Sequence, residues 1–196
     1  SGAYVYSANR ILHGAVIGVD EAPTAAVGTL LVNMLGVKLS GCNEIGVKFL
    51  QMLMQAAALI MMFFAMRKLF GNLPAAVGVI IASAYLSAPV IAKFGNVKEQ
   101  YMIAVMVLGM SSFVFYQIRG KWWWAVLAGG FISWAPLFKP TGVSAIAAIG
   151  LFVIFQPLFK NGTWKKAGID ILLLFAGAII AIAPLYIWII GWDVKI

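Results

Sequence analysis

The stretch from Ile169 to Gly191 decides the fold class, and it reads IDILLLFAGAIIAIAPLYIWIIG. Apart from Asp170 at its start, it contains no charged residue. A helix crosses the hydrocarbon core of a bilayer with about 20 predominantly apolar residues. Pro184 is acceptable inside such a helix, because neighbouring helices in a bundle satisfy the carbonyl group that proline leaves free. This stretch therefore predicts a transmembrane helix.

Five further stretches have the same character. Of the 196 residues, 63% are hydrophobic and 10% are charged, whereas soluble domains have about half apolar and about a quarter charged residues. This composition excludes an ordinary water-soluble enzyme. We predict an all-α, polytopic transmembrane helix bundle in contact with the lipid bilayer. The six predicted spans cover about residues 47–66, 73–92, 99–118, 122–138, 141–159 and 169–191.

The loops between these spans are short, so consecutive spans run in opposite directions and alternate loops share one side. Lys and Arg are enriched in cytoplasmic loops, so we predict that the more basic side is cytoplasmic. Basic loops near anionic lipid also account for the net charge of +8, and no nucleic-acid partner is predicted. The basic residues of the cytoplasmic loops are Arg67, Lys68, Arg119, Lys121, Lys160, Lys165 and Lys166.

Residues 1–46 contain no predicted span, and we expect them to form an external loop ahead of the bundle in residues 47–196. A second apolar helix is predicted from Pro23 to about Leu35, ended by Gly36. The beginning of the loop has one apolar helical face, which is typical of a helix lying on a membrane surface. That face consists of Tyr4, Ala8, Ile11 and Leu12.

Several short motifs follow one another along the chain: GAYVYSANRILHG at 2–14, Gly18-Val-Asp20 with Pro23, Lys68-Leu-Phe-Gly71, Glu99, and Lys139-Pro-Thr-Gly142. Their order resembles the GT-C glycosyltransferases. The resemblance is to the dolichyl-phosphate-mannose protein mannosyltransferase-like branch, which includes the lipid A aminoarabinose transferases. In that branch a Lys-Pro-Pro often stands where this chain has Glu21-Ala22-Pro23.

The resemblance implies a membrane glycosyltransferase. It would move a sugar from a polyprenyl-phosphate donor to an acceptor at the outer face of a prokaryotic plasma membrane. Such chemistry needs a carboxylate to accept the proton of the acceptor hydroxyl, and cations to stabilise the phosphate leaving group. The resemblance also places the main catalytic Asp of the family just before Ser1, so we expect the chain to be an N-terminal-half fragment.

Two residues are the principal site candidates in the chain. Glu99 is the predicted catalytic carboxylate, and its alternative is an acidic residue favoured at a helix N-terminus by the macrodipole. Lys139 is predicted to bind the donor phosphate, and its alternative is an ordinary interfacial lysine. Further candidates for substrate binding are Arg10, Asp20, Glu21, Lys93 and Lys98.

Several other polar residues have structural interpretations. Asp20 and Glu21 could equally be a helix N-cap pair, and Asp170 is predicted to be a helix cap. His13 and the single Cys42 form no metal-ligand set, so no metal site is predicted and a divalent metal cofactor is left open.

Two further predictions concern packing and anchoring. Gly177-Ala-Ile-Ile-Ala181 predicts a small-residue face for helix packing. Tryptophans at predicted helix ends indicate interfacial anchors. These are Trp122, Trp123, Trp124, Trp164 and Trp192.

Two alternatives belong to other functional classes. The first is a non-catalytic membrane subunit of a larger complex that keeps a GT-C-like scaffold, and the absence of an Asp directly before Ser1 would favour it. The second is a fragment of a small-solute transporter. Ion-coupled carriers place charged groups deep within their spans. No Asp, Glu, Lys, Arg or His lies deep within a predicted span, which argues against such a carrier.

Overall fold

The computed structural model describes residues 2–17, 19–21, 25–93, 95–160 and 162–191. Within these ranges the chain forms helices and no strand, which confirms the predicted all-α bundle. Pro23 and Trp192 lie outside the described residues. The helices are α1 (Gly2–Leu12), α2 (Val27–Ser40), α3 (Ile45–Phe70), α4 (Asn72–Ser87), α5 (Pro89–Ala92), α6 (Lys98–Arg119), α7 (Trp122–Phe138), α8 (Val143–Leu158) and α9 (Trp164–Gly191), with a 3₁₀ turn (Pro140–Gly142) before α8.

Four helical segments of the described residues are long and apolar enough to cross a membrane: Ile45–Phe70, Lys98–Arg119, Pro140–Leu158 and Trp164–Ile187. The predicted spans 73–92 and 122–138 correspond to shorter apolar helices. The single helix expected over 73–92 is wrong, because α4 ends at Ser87 and α5 begins at Pro89. A proline disfavours helical backbone in the residue before it, and Ala88 accordingly has ψ 136°.

Helix α2 begins at Val27 and ends at Ser40, whereas the prediction was a helix from Pro23 to about Leu35. It was expected to end before Gly36, but it continues to Ser40 and its cap is Gly41, which has φ 76°. Gly36 lies at the crossing of α2 and α3, where a β-carbon would overlap Val47. The glycine therefore marks a close helix contact and not a helix end.

Helix α1 packs against α2. Of the predicted apolar face, Ala8 and Ile11 are fully buried within the protein, whereas Tyr4 and Leu12 are only partly buried. Ala8 and Ile11 belong to a core cluster that also contains Met34 of α2, Tyr101 of α6 and Phe138 of α7. This end of the bundle therefore has one core to which the N-terminal helix and several later helices contribute.

Helix α7 packs against both α6 and α9. A β-carbon on Gly129 would overlap the backbone carbonyl group of Leu174, and one on Gly177 would overlap that of Val126. Ala181 faces Gly130 in the same contact. The predicted packing role of the Gly177–Ala181 face is thus confirmed. Its partner is the Gly129-Gly130 pair of α7.

The predicted tryptophan anchors divide into two groups. Trp122 and Trp164 are largely exposed at helix ends, as interfacial anchors would be. Trp124 instead turns inward and stacks on Phe115, with ring centroids 4.8 Å apart. Its role includes packing between α6 and α7.

We expect Gly129→Ala to destabilise the protein by about 1–3 kcal/mol, because the new methyl group overpacks the α7–α9 contact. Gly150→Ala is the matched control, since no atom lies within 4 Å of its β-carbon position. There alanine should be neutral or stabilising by up to about 1 kcal/mol. Thermal unfolding in detergent measures both. Equal melting temperatures would contradict the packing argument.

Candidate functional site

Glu99 and Lys139, the two principal candidates, form a salt bridge. The Nζ of Lys139 donates a hydrogen bond to Oε1 of Glu99 at 3.0 Å, across 40 residues of sequence. The side chains remain 30% and 34% exposed respectively, so the pair is accessible from outside the protein. Because a lysine ammonium group has three donors, Lys139 keeps further donors for another acceptor.

Tight packing around the 3₁₀ turn fixes the backbone of Lys139. Lys139 is extended, with φ −157°, between the end of α7 and the turn. Gly142 is required in this turn because a β-carbon would overlap Ala135 of α7. Thr141 Oγ1 also contacts Met102 Sδ of α6 at 3.4 Å. These contacts hold Lys139 beside the first turn of α6, where Glu99 lies.

A buried amide pair anchors the loop that precedes Glu99. Asn33 of α2 and Asn96 exchange hydrogen bonds of 2.8 and 3.2 Å. The hydroxyl group of Tyr101 also donates to Oδ1 of Asn96 at 3.1 Å. Asn96 has φ 52°, in the left-handed region. Each of these three residues is at most 2% exposed.

A second amide pair binds the same loop to α3 and α4. Gln51 donates to the side-chain oxygen of Gln100. Gln51 accepts from the backbone N–H of Val97 at 3.2 Å. Gln100 in turn donates to the carbonyl oxygen of Leu86 at 2.9 Å. The two pairs were missed by sequence reasoning, although four amide side chains in apolar surroundings are a usable signal for a buried polar network.

Arg10 and Glu21 form a second ion pair at the same end of the bundle. Arg10 Nη1 lies 2.8 Å from Glu21 Oε2, and Ser7 donates to Glu21 Oε1 at 2.8 Å. Asp20 accepts from the backbone N–H of Val16 at 2.9 Å. The interpretation of the two acids as a helix cap is wrong, because the residue that caps α2 is Ala26.

The remaining lysine candidates flank the Asn96 loop. Lys98 is the first residue of α6 and directly precedes Glu99. Lys93 is exposed and follows α5 with a left-handed backbone, φ 42°. No cluster of three or more His, Cys, Asp or Glu residues forms a metal site in the part of the chain that the structure describes. The structure therefore identifies no residue set for a metal cofactor.

Asp170 is not the helix cap that the sequence predicted. Helix α9 begins six residues earlier, at Trp164, and Asp170 is fully buried. Tyr116 of α6 donates to Asp170 Oδ1 at 2.5 Å, while Oδ2 has no hydrogen-bond partner among the described residues. Lys165 and Lys166, which the sequence analysis places in the preceding loop, belong to the first turn of α9.

Residues 24–188 match the protein family described as dolichyl-phosphate-mannose-protein mannosyltransferase. The chain belongs to this family. The mannosyltransferase family comprises membrane glycosyltransferases of the GT-C type, which act on lipid-linked donors within the bilayer. The resemblance found in the sequence is confirmed at this level, and the finer branch stays a prediction. No curated protein and no solved structure matches the chain.

The family match covers both principal candidates, Glu99 and Lys139. Residues 2–17 and 19–21, which carry Arg10, Asp20 and Glu21, lie outside the matched segment. The roles of the individual residues stay predictions.

We expect Asn33→Ala to destabilise the protein by about 1–3 kcal/mol, because it removes both hydrogen bonds between Asn33 and the buried amide of Asn96. Asn72→Ala, at the exposed start of α4, should change stability by less than about 0.5 kcal/mol. Chemical denaturation in detergent micelles compares the two variants. A loss at Asn72 as large as that at Asn33 would argue against the network.

Proposed function

We propose that the protein transfers a sugar from a polyprenyl-phosphate donor to an acceptor hydroxyl at the outer face of a prokaryotic plasma membrane. The bond between the sugar and the phosphate oxygen breaks, and a bond between the sugar and the acceptor oxygen forms. Polyprenyl phosphate leaves, and the acceptor hydroxyl loses its proton. The observation that carries the proposal is the accessible Glu99–Lys139 pair in a chain of this family.

The two side chains suit complementary roles. The carboxylate of Glu99 is an acceptor for the proton of the attacking hydroxyl. The ammonium group of Lys139 uses a remaining donor for the phosphate oxygens, whose negative charge grows as the bond to the sugar breaks. Their salt bridge keeps the base and the leaving-group cation within one hydrogen bond of each other.

An apolar groove beside Lys139 supports a lipid-linked donor. Phe138, the residue before Lys139, and Trp134 of the same helix line a cavity of about 490 Å³ between α2, α7 and α9. Its walls are almost entirely apolar, with Leu31 and Leu35 of α2 on the opposite side. A prenyl chain lying in this groove would present its phosphate near Lys139, which is where the proposed reaction needs it.

Three other cations add positive potential at this end. Lys98 is adjacent to Glu99 in sequence, Lys93 lies in the preceding loop, and Arg10 is 42% exposed although it pairs with Glu21. We assign them to attraction of the donor phosphate. This end is the outer side under the topology predicted from the basic loops.

The test is sugar transfer by the full-length protein in membranes, with a radiolabelled polyprenyl-phosphate mannose donor and a panel of other polyprenyl-phosphate hexoses. Glu99→Gln should lower kcat by about 100-fold, since a positioned base contributes about 10²–10⁴-fold. Lys139→Gln should raise the KM for the donor by about tenfold, which corresponds to about 1.4 kcal/mol. Donor consumption and release of polyprenyl phosphate are measured together.

Glu44→Gln and Lys48→Gln are the matched controls. These residues form an ion pair of 2.7 Å at the start of α3, and each control makes the same charge change as its test variant. They should leave kcat and KM within about twofold of the parent. The Glu99–Lys139 pair is partly exposed, so either test substitution should cost about 1 kcal/mol of stability or less. Equal losses in the test and control variants would contradict the assignment.

The same assay decides between the enzyme and the non-catalytic subunit. If the full-length protein transfers none of the sugars and its purification yields a stable complex with other membrane subunits, the scaffold interpretation replaces the proposal. If transfer occurs but is unchanged in the Glu99 and Lys139 variants, the enzyme stands and the assigned residues are wrong.

A further inference from the structure

A second cavity lies at the opposite membrane end of the bundle. Its volume is about 460 Å³, and it opens between the C-terminal ends of α3 and α6 and the start of α7. Glu99 and Arg119 lie near opposite ends of α6, and 20 residues of α-helix span about 30 Å. This cavity is therefore separate from the Glu99–Lys139 pair. It is lined by Met61, Phe64, Arg67, Lys68, Phe115, Arg119 and Trp124.

The three cations of this cavity have no carboxylate partner. Among the residues that the structure describes, Arg67, Lys68 and Arg119 take part in no ion pair. Asp170, the acidic residue described at this end of the bundle, is buried and bound by Tyr116. Three exposed positive charges facing one cavity repel each other unless an anion lies between them. The cavity thus has the electrostatics of an anion site.

Aromatic rings hold the guanidinium group of Arg119 in position. Its Cζ atom lies 5.0 Å from the ring centroid of Phe115 and 5.7 Å from that of Trp124. Stacking of this kind orients an arginine while leaving its N–H groups available. The planar fork of a guanidinium group matches two oxygens of a phosphate. Arg119 is therefore prepared for a phosphate ligand before that ligand arrives.

The rest of the cavity is apolar and belongs to membrane-spanning helices. Met61 and Phe64 lie on α3, one to two turns before Arg67, within a segment that is long and apolar enough to cross a membrane. A ligand that fills the cavity therefore needs a phosphate at one end and a hydrocarbon chain at the other. Soluble phosphates lack the second part.

We propose that this cavity binds the phosphate headgroup of an anionic membrane phospholipid, with its acyl chain lying along Met61 and Phe64. The binding site is distinct from the proposed donor site and does not depend on the glycosyltransferase assignment. It also does not depend on which membrane face the cavity adjoins. A lipid bound here bridges α3, α6 and α7 by contacts to side chains from all three.

The test uses native mass spectrometry of the full-length protein titrated with phosphatidylglycerol or phosphatidylcholine in detergent. The parent protein should bind phosphatidylglycerol at least about tenfold more tightly than phosphatidylcholine. Arg67→Gln/Arg119→Gln should remove that preference, a change equivalent to about 1.4 kcal/mol. Lys165→Gln/Lys166→Gln is the control, because it removes two exposed charges at the same membrane end but outside the cavity.

Three further measurements complete the test: competition by glycerol phosphate, and lipid binding by the single variants Lys68→Gln and Arg119→Lys. Glycerol phosphate in excess should not displace the lipid, and displacement would show a site for soluble phosphate instead. Equal losses in both double variants would show diffuse electrostatic attraction and overturn the proposal. Lys68→Gln, with one exposed charge removed, tests the cavity if the arginine variant does not fold. Retention of the full lipid preference in this variant and in Arg119→Lys would overturn the proposal.

Discussion

The packing of α7 against α6 and α9 is the contact on which the rest of the structure depends. Glycines let the backbones of α7 and α9 approach so closely that Gly129 meets the carbonyl group of Leu174. In a bilayer there is little hydrophobic driving force between helices, so close van der Waals contact of this kind replaces it. Because α7 is held on both sides, its C-terminal end is fixed. Lys139 follows directly and is thereby placed beside α6.

The buried amides fix the position of Glu99, the partner of Lys139. A loop that enters the bundle must satisfy its polar groups within the protein, since hydrocarbon offers them no partner. Asn33, Asn96, Gln51 and Gln100 satisfy one another and the neighbouring backbone groups. The loop before α6 is therefore bound to α2 and α3, and Gln100 in the first turn of α6 is bound to α4. The position of Glu99 follows from that attachment and from the start of α6 two residues after Asn96.

The two ends of the bundle differ in how their cations are arranged. At one end Arg10, Lys48 and Lys139 have carboxylate partners, while Lys93 and Lys98 form no ion pair among the described residues. At the other end the one described carboxylate, Asp170, is buried, and the exposed cations face an aromatic cavity. The first arrangement suits a site where charge is rearranged during a reaction, and the second suits stable binding of an anion. The family assignment concerns glycosyl transfer. The lipid binding proposed for the cavity at the second end is independent of that assignment.

The sequence by itself determined the all-α membrane class, the position of most helices and the family, and it pointed to Glu99 and Lys139 as candidate site residues. It could do so because the length and apolar character of a helix can be read from a local stretch of sequence. The thickness of the bilayer sets how long such a stretch must be. Only the tertiary structure decided that Glu99 and Lys139 meet, that Asn33 pairs with Asn96, and that Asp170 is buried beside Tyr116. Each of these depends on which faces of distant helices come together. Helix crossings depend on side-chain shape at the contact, as at Gly36 and Gly129, and a single sequence does not reveal which faces meet.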